Sequence, residues 1–130
     1  MDVYEHILQE IKGKPQFLIE ERRIFLNAIY ERVVLVLTTE QLTSGKVYHR
    51  LFEEMKKGKE LHLLVNGSKP YKSYSLYIHA AMQLNIPFTV VHNKRSSPIG
   101  LVLARVAPHS MKRDPFIKDK HFKFDMSRLA

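Results

Sequence analysis

The chain has 130 residues, of which 45% are hydrophobic and 26% are charged, and these values are typical of one globular domain. It has no cysteine, which excludes disulfide bonds and thiolate chemistry, and no apolar run approaches the ~18 residues of a membrane span. Because the first residues also lack the features of a signal peptide, we expect a cytoplasmic protein with no membrane partner.

The first 29 residues are predicted to form a helical segment. Asp2 begins a helix with Glu5 at capping-box spacing, and the lysines, glycine and proline of residues 12–15 would end it. Residues 17–27 are interpreted as a second helical stretch, although the first three of them could be extended.

A strand and a helix follow this segment. Residues 32–38 form a continuous β-branched run, which is typical of a parallel strand that is buried on both faces. Thr43 or Ser44 is predicted to cap the next helix, which carries one wide apolar face and ends at Lys57 and Gly58.

Three more strands and one more helix are predicted. Residues 61–65 form the second strand, and Pro70 is placed at the first turn of the second helix. Residues 87–91 and 99–106 form the third and fourth strands. The connection between these two is too short for a crossover, so the fourth strand is expected to run antiparallel. The apolar stripe of the second helix is Tyr74, Tyr77, Ile78, Ala81 and Leu84.

The predicted architecture is therefore α/β, with the order β-α-β-α-β-β and a mixed sheet, in one domain over residues 1–107. Its two crossover helices must lie on the sheet in the right-handed sense. Residues 108–130 are predicted to be a basic tail that either lies on the domain or is partly disordered.

Several local strings together resemble the YueI-like family of small bacterial proteins of uncharacterised function. They lie within residues 15–105, and their combined order carries the resemblance. The strings are residues 21–26, residues 30–38, residues 63–67, the tyrosines 71, 74 and 77 with Ile78, residues 86–91 and residues 99–103. The resemblance implies a chorismate-mutase-like fold with one antiparallel strand, which is shared with ribosomal proteins that bind kinked RNA and with unrelated enzymes. It implies no activity and no catalytic residues.

The net charge of +8 is distributed unevenly along the chain. Residues 1–60 hold ten basic and ten acidic side chains, whereas residues 61–130 hold eleven basic and three acidic ones. No carboxylate side chain occurs between Leu61 and Arg113. Such a positive region attracts polyanions, although many basic proteins have no polyanionic partner. We therefore hypothesise a non-catalytic module that binds a polyanion, with RNA favoured.

The carboxyl ends of the parallel strands are the expected position of a ligand crevice in an open α/β sheet. Helix N-termini near Ser44 and Pro70 would favour an anion there, although asparagine, glycine and threonine are also ordinary turn residues. The candidate residues of this rim are Thr38, Thr39, Glu40, Asn66, Gly67, Tyr71, Asn93, Lys94 and Arg95. A small anionic ligand, with or without turnover, is the alternative function at this rim.

Basic residues outside the rim are the second set of candidates. Lysines and arginines alternate with phenylalanines in the tail, so the tail is either an RNA-contacting arm or a segment whose aromatic rings dock on the domain or on a neighbouring subunit. The candidate nucleic-acid residues are Lys69, Lys72, Lys112, Arg113, Lys118, Lys120 and Lys123. No metal-ligand spacing or cofactor motif is found, so no cofactor is predicted. A role in homo-oligomerisation remains open.

Overall fold

The structure, a computed structural model, describes residues 25–92, 97–106 and 114–129. The predicted helix that begins at Asp2 and most of the second helical stretch lie outside the described residues. So do five candidate site residues, namely Asn93, Lys94, Arg95, Lys112 and Arg113.

The described chain forms a mixed α/β structure with four strands and four α-helices. The elements, in order, are β1 (Val33–Thr38), α1 (Thr39–Thr43), α2 (His49–Lys57), β2 (Leu61–Asn66), α3 (Ser75–Gln83), β3 (Phe88–Val91), β4 (Ile99–Arg105) and α4 (Lys120–Leu129). Short 3-10 turns occupy Tyr30–Arg32 and Tyr71–Ser73. The four predicted strands are confirmed, each with bounds within one residue of those expected.

The strands form one sheet in the order β1-β4-β2-β3. β2 and β3 are parallel, whereas β4 lies antiparallel between β1 and β2. The antiparallel direction expected for β4 is therefore confirmed. Because β1, β2 and β3 run the same way and succeed each other in one direction across the sheet, both right-handed crossovers place α2 and α3 on the same face.

Two predictions about helix starts are wrong. Neither Thr43 nor Ser44 caps α2, which begins after Tyr48 with no side-chain cap. The threonine that caps a helix is Thr38. The Thr38 hydroxyl oxygen accepts the backbone N–H of Gln41, and the Gln41 side-chain oxygen accepts the backbone N–H of Thr38. This reciprocal pair produces the one-turn helix α1 directly after β1, in a stretch that was expected to be only polar.

The second helix also starts later than expected. Pro70 precedes a 3-10 turn, and α3 begins only at Ser75. Four of the five predicted stripe residues are buried on α3 or at its start, but Leu84, just past its end, is 40% exposed. The stripe is therefore confirmed except at its last position, where the helix has already ended.

The sheet separates two apolar clusters. The larger one joins the strands to α2 and α3 and includes Leu51, Leu63, Ile78 and Leu103. The smaller one lies on the opposite face, where the buried rings of Phe25, Phe116 and Phe122 cover β1 and β4. β4 contributes to both clusters and is almost wholly buried, as a central strand between two covered faces should be.

Residues 114–129 cover this second face and one edge of the sheet. The backbone N–H of Val36 donates to the carbonyl oxygen of Pro115 at 2.8 Å, and Phe116 forms a parallel bridge to Val36. Phe116 and Phe122 are buried. Of the two arrangements predicted for the tail, its described residues therefore have the docked one. The division of the chain at residue 107 stays a prediction.

Candidate functional site

The predicted rim lies at the carboxyl ends of β1, β2 and β3, and Asn66 stands at its centre. The Asn66 amide nitrogen donates to the carbonyl oxygen of Ile99 at 3.0 Å, and its amide oxygen accepts from the backbone N–H and the hydroxyl of Ser68. The side chain is buried. Asn66 thus joins the end of β2 to the start of β4 and shapes the following turn, so its amide atoms are engaged within the chain.

At the end of β1, the rim residues Thr39 and Glu40 contact the C-terminal helix α4. The buried carboxylate of Asp125 accepts the backbone N–H of Glu40 at 2.8 Å and the hydroxyl of Thr39 at 3.4 Å. The imidazole of His121 lies 3.8 Å from the Glu40 carboxylate. The first N–H groups of α1 are therefore all bonded within the chain: that of Thr39 to Pro98, that of Glu40 to Asp125 and that of Gln41 to Thr38, so none is left for a bound anion.

A second carboxylate, Asp119, anchors the start of α4 to α1 and α2. One of its oxygens accepts the Tyr48 hydroxyl at 2.6 Å and faces the Lys46 ammonium at 3.3 Å. The other accepts from the Gln41 amide at 3.1 Å and from the Phe122 backbone N–H at 3.0 Å. The Gln41 amide nitrogen also donates to the carbonyl oxygen of Ile117, so the buried glutamine caps α1 and holds the C-terminal segment at once.

The protonation states of this anchor follow from its geometry. Partial burial acts to raise the pKa of Asp119, but the hydrogen bonds from Tyr48, Phe122, Gln41 and Lys46 outweigh it and hold that pKa well below its usual range. Burial, followed by the hydrogen bond to Asp119, raises the pKa of Tyr48. A stable Tyr48–carboxylate hydrogen bond results, with no proton poised for transfer near neutral pH.

The remaining described rim residues lie on the turn from Asn66 to Ser73, which we call the basic loop. A side chain at Gly67 would approach the His92 ring to 2.5 Å, so glycine lets the end of β3 lie directly beside this turn. Lys69 is half-buried and Lys72 is exposed. Tyr71 is 58% exposed and makes an edge-to-face contact with Tyr74, with 5.5 Å between ring centroids.

The lysines predicted in the tail differ in their surroundings. Lys118 pairs with Asp114 at 2.8 Å, four residues earlier, whereas Lys120 and Lys123 are exposed on α4. Phe124 is 52% exposed. The described tail is less positive than its lysines alone suggest, because it also holds Asp114, Asp119 and Asp125. All three aspartates bond other groups of the chain.

The rim candidates therefore form two groups in the described residues. Thr39 and Glu40 contact α4, and Thr38 bonds Gln41, which itself binds the C-terminal segment. The others lie in or beside the basic loop. Sequence reasoning missed Gln41, Asp119 and Asp125, which hold the first group in place. A local signal existed for Gln41, since Thr38-x-x-Gln41 has capping-box spacing. No local signal marks Asp125, because its partners lie more than 80 residues away. Asp119 precedes α4 and accepts the backbone N–H of Phe122, as helix-capping aspartates do, but its bonds to Gln41 and Tyr48 span more than 70 residues and leave no local pattern.

A shallow cleft lies at the opposite end of the strands. It has a volume of about 320 Å³ and is lined by Val34, Glu54, Lys57, Gly58, Lys59, Leu61 and Arg105. Within the described ranges, no group of three histidine or acidic side chains is placed to hold a metal ion. No helix in the same ranges is long and apolar enough to cross a membrane.

Comparisons with known proteins place the chain in a family. Residues 1–113 match the model of a family described as "Protein of unknown function (DUF1694)". The uncharacterized protein YueI of Bacillus subtilis is 37% identical over 105 residues, which cover 80% of this chain and 78% of that protein. The crystal structure of the B. subtilis YueI protein superposes with a TM-score of 0.80 and 31% identity, covering 95% of this chain and 96% of that one. The chain therefore belongs to the DUF1694 family of proteins of unknown function.

Proposed function

We propose that this protein is a non-catalytic module that binds RNA through the basic loop. The observation that carries the proposal is the combination of Lys69, Lys72 and the exposed Tyr71 ring on one turn. This turn belongs to a stretch, Leu61 to Arg113, that has no carboxylate side chain to neutralise it. Lysines attract the phosphates, and an exposed aromatic ring accepts an unstacked base.

The position of Tyr71 supports base stacking. Pro70 and the 3-10 turn that follows it restrict the backbone at this residue, and the Tyr74 ring supports one edge of the Tyr71 ring. The other parts of the ring remain open to solvent, since more than half of the residue is exposed. A ring that is already held in place loses little conformational freedom when a base stacks on it.

Lys94 and Arg95 lie outside the described residues, and we propose that they extend the same surface. They follow His92, which lies against Gly67 of the basic loop. Lys120 and Lys123 have a secondary role in this proposal, because α4 contacts α1 and β1 and not the basic loop. The roles of Lys112 and Arg113, which lie outside the described residues, stay predictions.

We also propose that the fold is the chorismate-mutase-like one. A mixed sheet with β4 as its one antiparallel strand supports this assignment. The assignment would relate the chain to ribosomal proteins that bind kinked RNA, but a shared fold does not by itself determine function. The RNA proposal therefore depends on the basic loop and not on the fold.

Fluorescence anisotropy with a labelled single-stranded RNA tests the proposal. The Lys69→Ala/Lys72→Ala variant should bind about tenfold more weakly, and its dependence of log K on log salt should be shallower by about 0.7 for each phosphate that is no longer neutralised. Tyr71→Ala should weaken binding by about five- to 100-fold, whereas Tyr71→Phe, which keeps the ring, should bind nearly as tightly as the unmodified protein.

The matched control is Lys56→Ala/Lys57→Ala, which removes two exposed lysines from the end of α2 near Glu53 and Glu54. Equal losses in both double variants would contradict a site at the basic loop. Absence of RNA binding, together with a metabolite that raises the melting temperature, would instead favour the small-anion alternative. Purification from the host, with the 260/280 nm absorbance ratio and nuclease sensitivity as readouts, provides an independent check.

A further inference from the structure

The two edge strands of the sheet differ in whether other described parts of the chain bond to their outer sides. The β1 edge receives the hydrogen bond between Val36 and Pro115 and the bridge to Phe116. The β3 edge is the other end of the strand order, and within residues 25–92, 97–106 and 114–129 no backbone group bonds to its outer side. Exposed strand edges are surfaces to which another strand can add.

The hydrogen-bond pattern identifies which groups face outward. The carbonyl oxygens of Pro87 and Val91 accept from Leu63 and Gly67, so these two residues face β2. Because backbone groups alternate along a strand, Thr89 also faces β2, and the N–H and C=O groups of Phe88 and Val90 point away from the sheet. Pro87 has no N–H to donate, but its backbone faces β2, so the proline leaves the row of outward groups on β3 uninterrupted.

The edge also lacks the charges that commonly protect such strands. No residue from Leu84 to Val91 is charged, although the chain carries a net charge of +8. Phe88 is 39% exposed, and Thr89 is exposed on the opposite face of the sheet. This strand therefore brings no like charges together when two copies meet at it.

We infer that β3 pairs antiparallel with β3 of a second copy of this chain, forming a continuous eight-stranded sheet across a two-fold axis at Thr89. In this register Phe88 and Val90 of one copy exchange N–H···O=C bonds with Val90 and Phe88 of the other. An aromatic side chain then lies beside a β-branched one, and the two Thr89 side chains face each other. A two-fold rotation about Thr89 places the outward N–H and C=O groups of Phe88 opposite those of Val90 in the other copy. Each donor therefore meets an acceptor, and a second copy of the chain suits this edge.

The antiparallel direction also separates the positive charges of the two copies. The basic loop adjoins the carboxyl end of β3, as the contact of Gly67 with His92 shows. In the proposed pair the two carboxyl ends point in opposite directions, so the two basic loops lie at opposite ends of the contact. The inference does not depend on RNA binding, and each proposal can fail without the other.

Sedimentation velocity on the full chain across the micromolar range tests the pairing. The unmodified protein should show a dimer that dissociates on dilution. Thr89→Lys should weaken the dimer by about tenfold or more, because it places two like charges directly opposite each other. The control is Thr43→Lys, the same exposed substitution on α1 near the opposite edge of the sheet, which should leave the dimer unchanged.

Mixing Thr89→Lys with a second variant, Thr89→Glu, tests whether the two Thr89 positions lie opposite each other. Thr89→Lys and Thr89→Glu should each associate at least about tenfold more weakly alone than when they are mixed, since opposite charges then meet at the two-fold axis. Circular dichroism should show that both variants remain folded. A monomeric unmodified protein, a Thr89→Lys variant that dimerises as tightly as the unmodified protein, or a mixture that associates no more tightly than either variant alone would each overturn the inference.

Discussion

Asp119 shows how much one side chain organises in this protein. Its carboxylate receives donors from α1, from the residues that precede α2, and from α4, so it joins three parts of the chain that are far apart in sequence. Hydrogen bonds to a charged group contribute more than neutral ones, and each donor would lose its partner if the charge were removed.

We expect Asp119→Asn to lower the free energy of unfolding by about 1–3 kcal/mol at pH 7, measured by urea denaturation. The matched control is Asp114→Asn, which weakens the exposed pair with Lys118 but keeps a side-chain oxygen that can accept the Phe116 backbone N–H, so it should change stability by about 0.5 kcal/mol or less. Equal effects of the two substitutions would contradict the anchoring role of Asp119.

The lowered pKa of Asp119 predicts how this contribution depends on pH. A carboxylate whose pKa is lower in the folded state stabilises the protein fully above its unfolded pKa of about 3.9. The contribution is lost as the pH falls through the folded-state pKa. The difference in unfolding free energy between Asp119→Asn and the unmodified protein should therefore stay constant down to about pH 5 and shrink only in more acidic solution.

At the scale of elements, α4 is part of the core although it lies within residues 108–130, which the sequence predicts to be a tail. Phe122 is 6% exposed and packs in the cluster that covers β1 and β4, whereas Phe124, two residues later, faces solvent for half its surface. The helix thus presents one apolar side to the sheet, and its aspartates bind α1 and the segment before α2.

Phe122→Ala should destabilise the protein by about 3–5 kcal/mol, because it removes a buried ring and leaves a cavity. Phe124→Ala, on the same helix, should cost about 1 kcal/mol or less. Thermal and urea unfolding measure both. If Phe122→Ala does not fold, Phe122→Leu provides the comparison, with an expected loss smaller than that of alanine but larger than that of Phe124→Ala. A free tail would show no difference between the two positions.

For the whole molecule, we expect backbone amides to be protected most from hydrogen exchange in the centre of the sheet and least at its open edge. β4 has covered faces and bonded neighbours on both sides, whereas the outward amides of Phe88 and Val90 have no bonded neighbour among the described residues. Amides in central strands exchange only when the whole structure opens.

Hydrogen exchange followed by NMR should therefore show slow exchange across β4 and β2 and fast exchange at Phe88 and Val90 in dilute solution. At higher protein concentration, the proposed pairing should slow exchange at these two amides selectively. Exchange at Thr89 should change less, since its amide already faces β2. Fast exchange in β4, or protection of Phe88 that does not change with concentration, would contradict this picture.

The elements of the fold differ in how far the sequence predicts them. The four strands were predictable because continuous β-branched runs and turn residues are local signals. The stripe of α3 was predictable from its helical spacing, except at Leu84, where the helix has ended. The start of α2 was not, because burial of Tyr48 against the core places the helix and no capping side chain does so.

The candidate site also has one part that the sequence predicts and one part that it does not. The basic loop could be predicted because the turn residues and the missing carboxylates are visible in the sequence. The capture of Thr39 and Glu40 by Asp125 could not, since a hydrogen bond between residues 85 positions apart leaves no local pattern. Whether a helix N-terminus remains available to a ligand is thus decided by what packs on it.

The amino-acid sequence by itself determined the class of structure, the strand positions, the antiparallel direction of β4 and the family resemblance, because each depends on short-range patterns of side chains. Only the tertiary structure decided that β4 lies between β1 and β2, that residues 114–129 close one face and one edge of the sheet, and that the β3 edge stays unpaired in the described chain. These features depend on contacts between distant segments, and such contacts form only when burial of apolar surface brings the segments together.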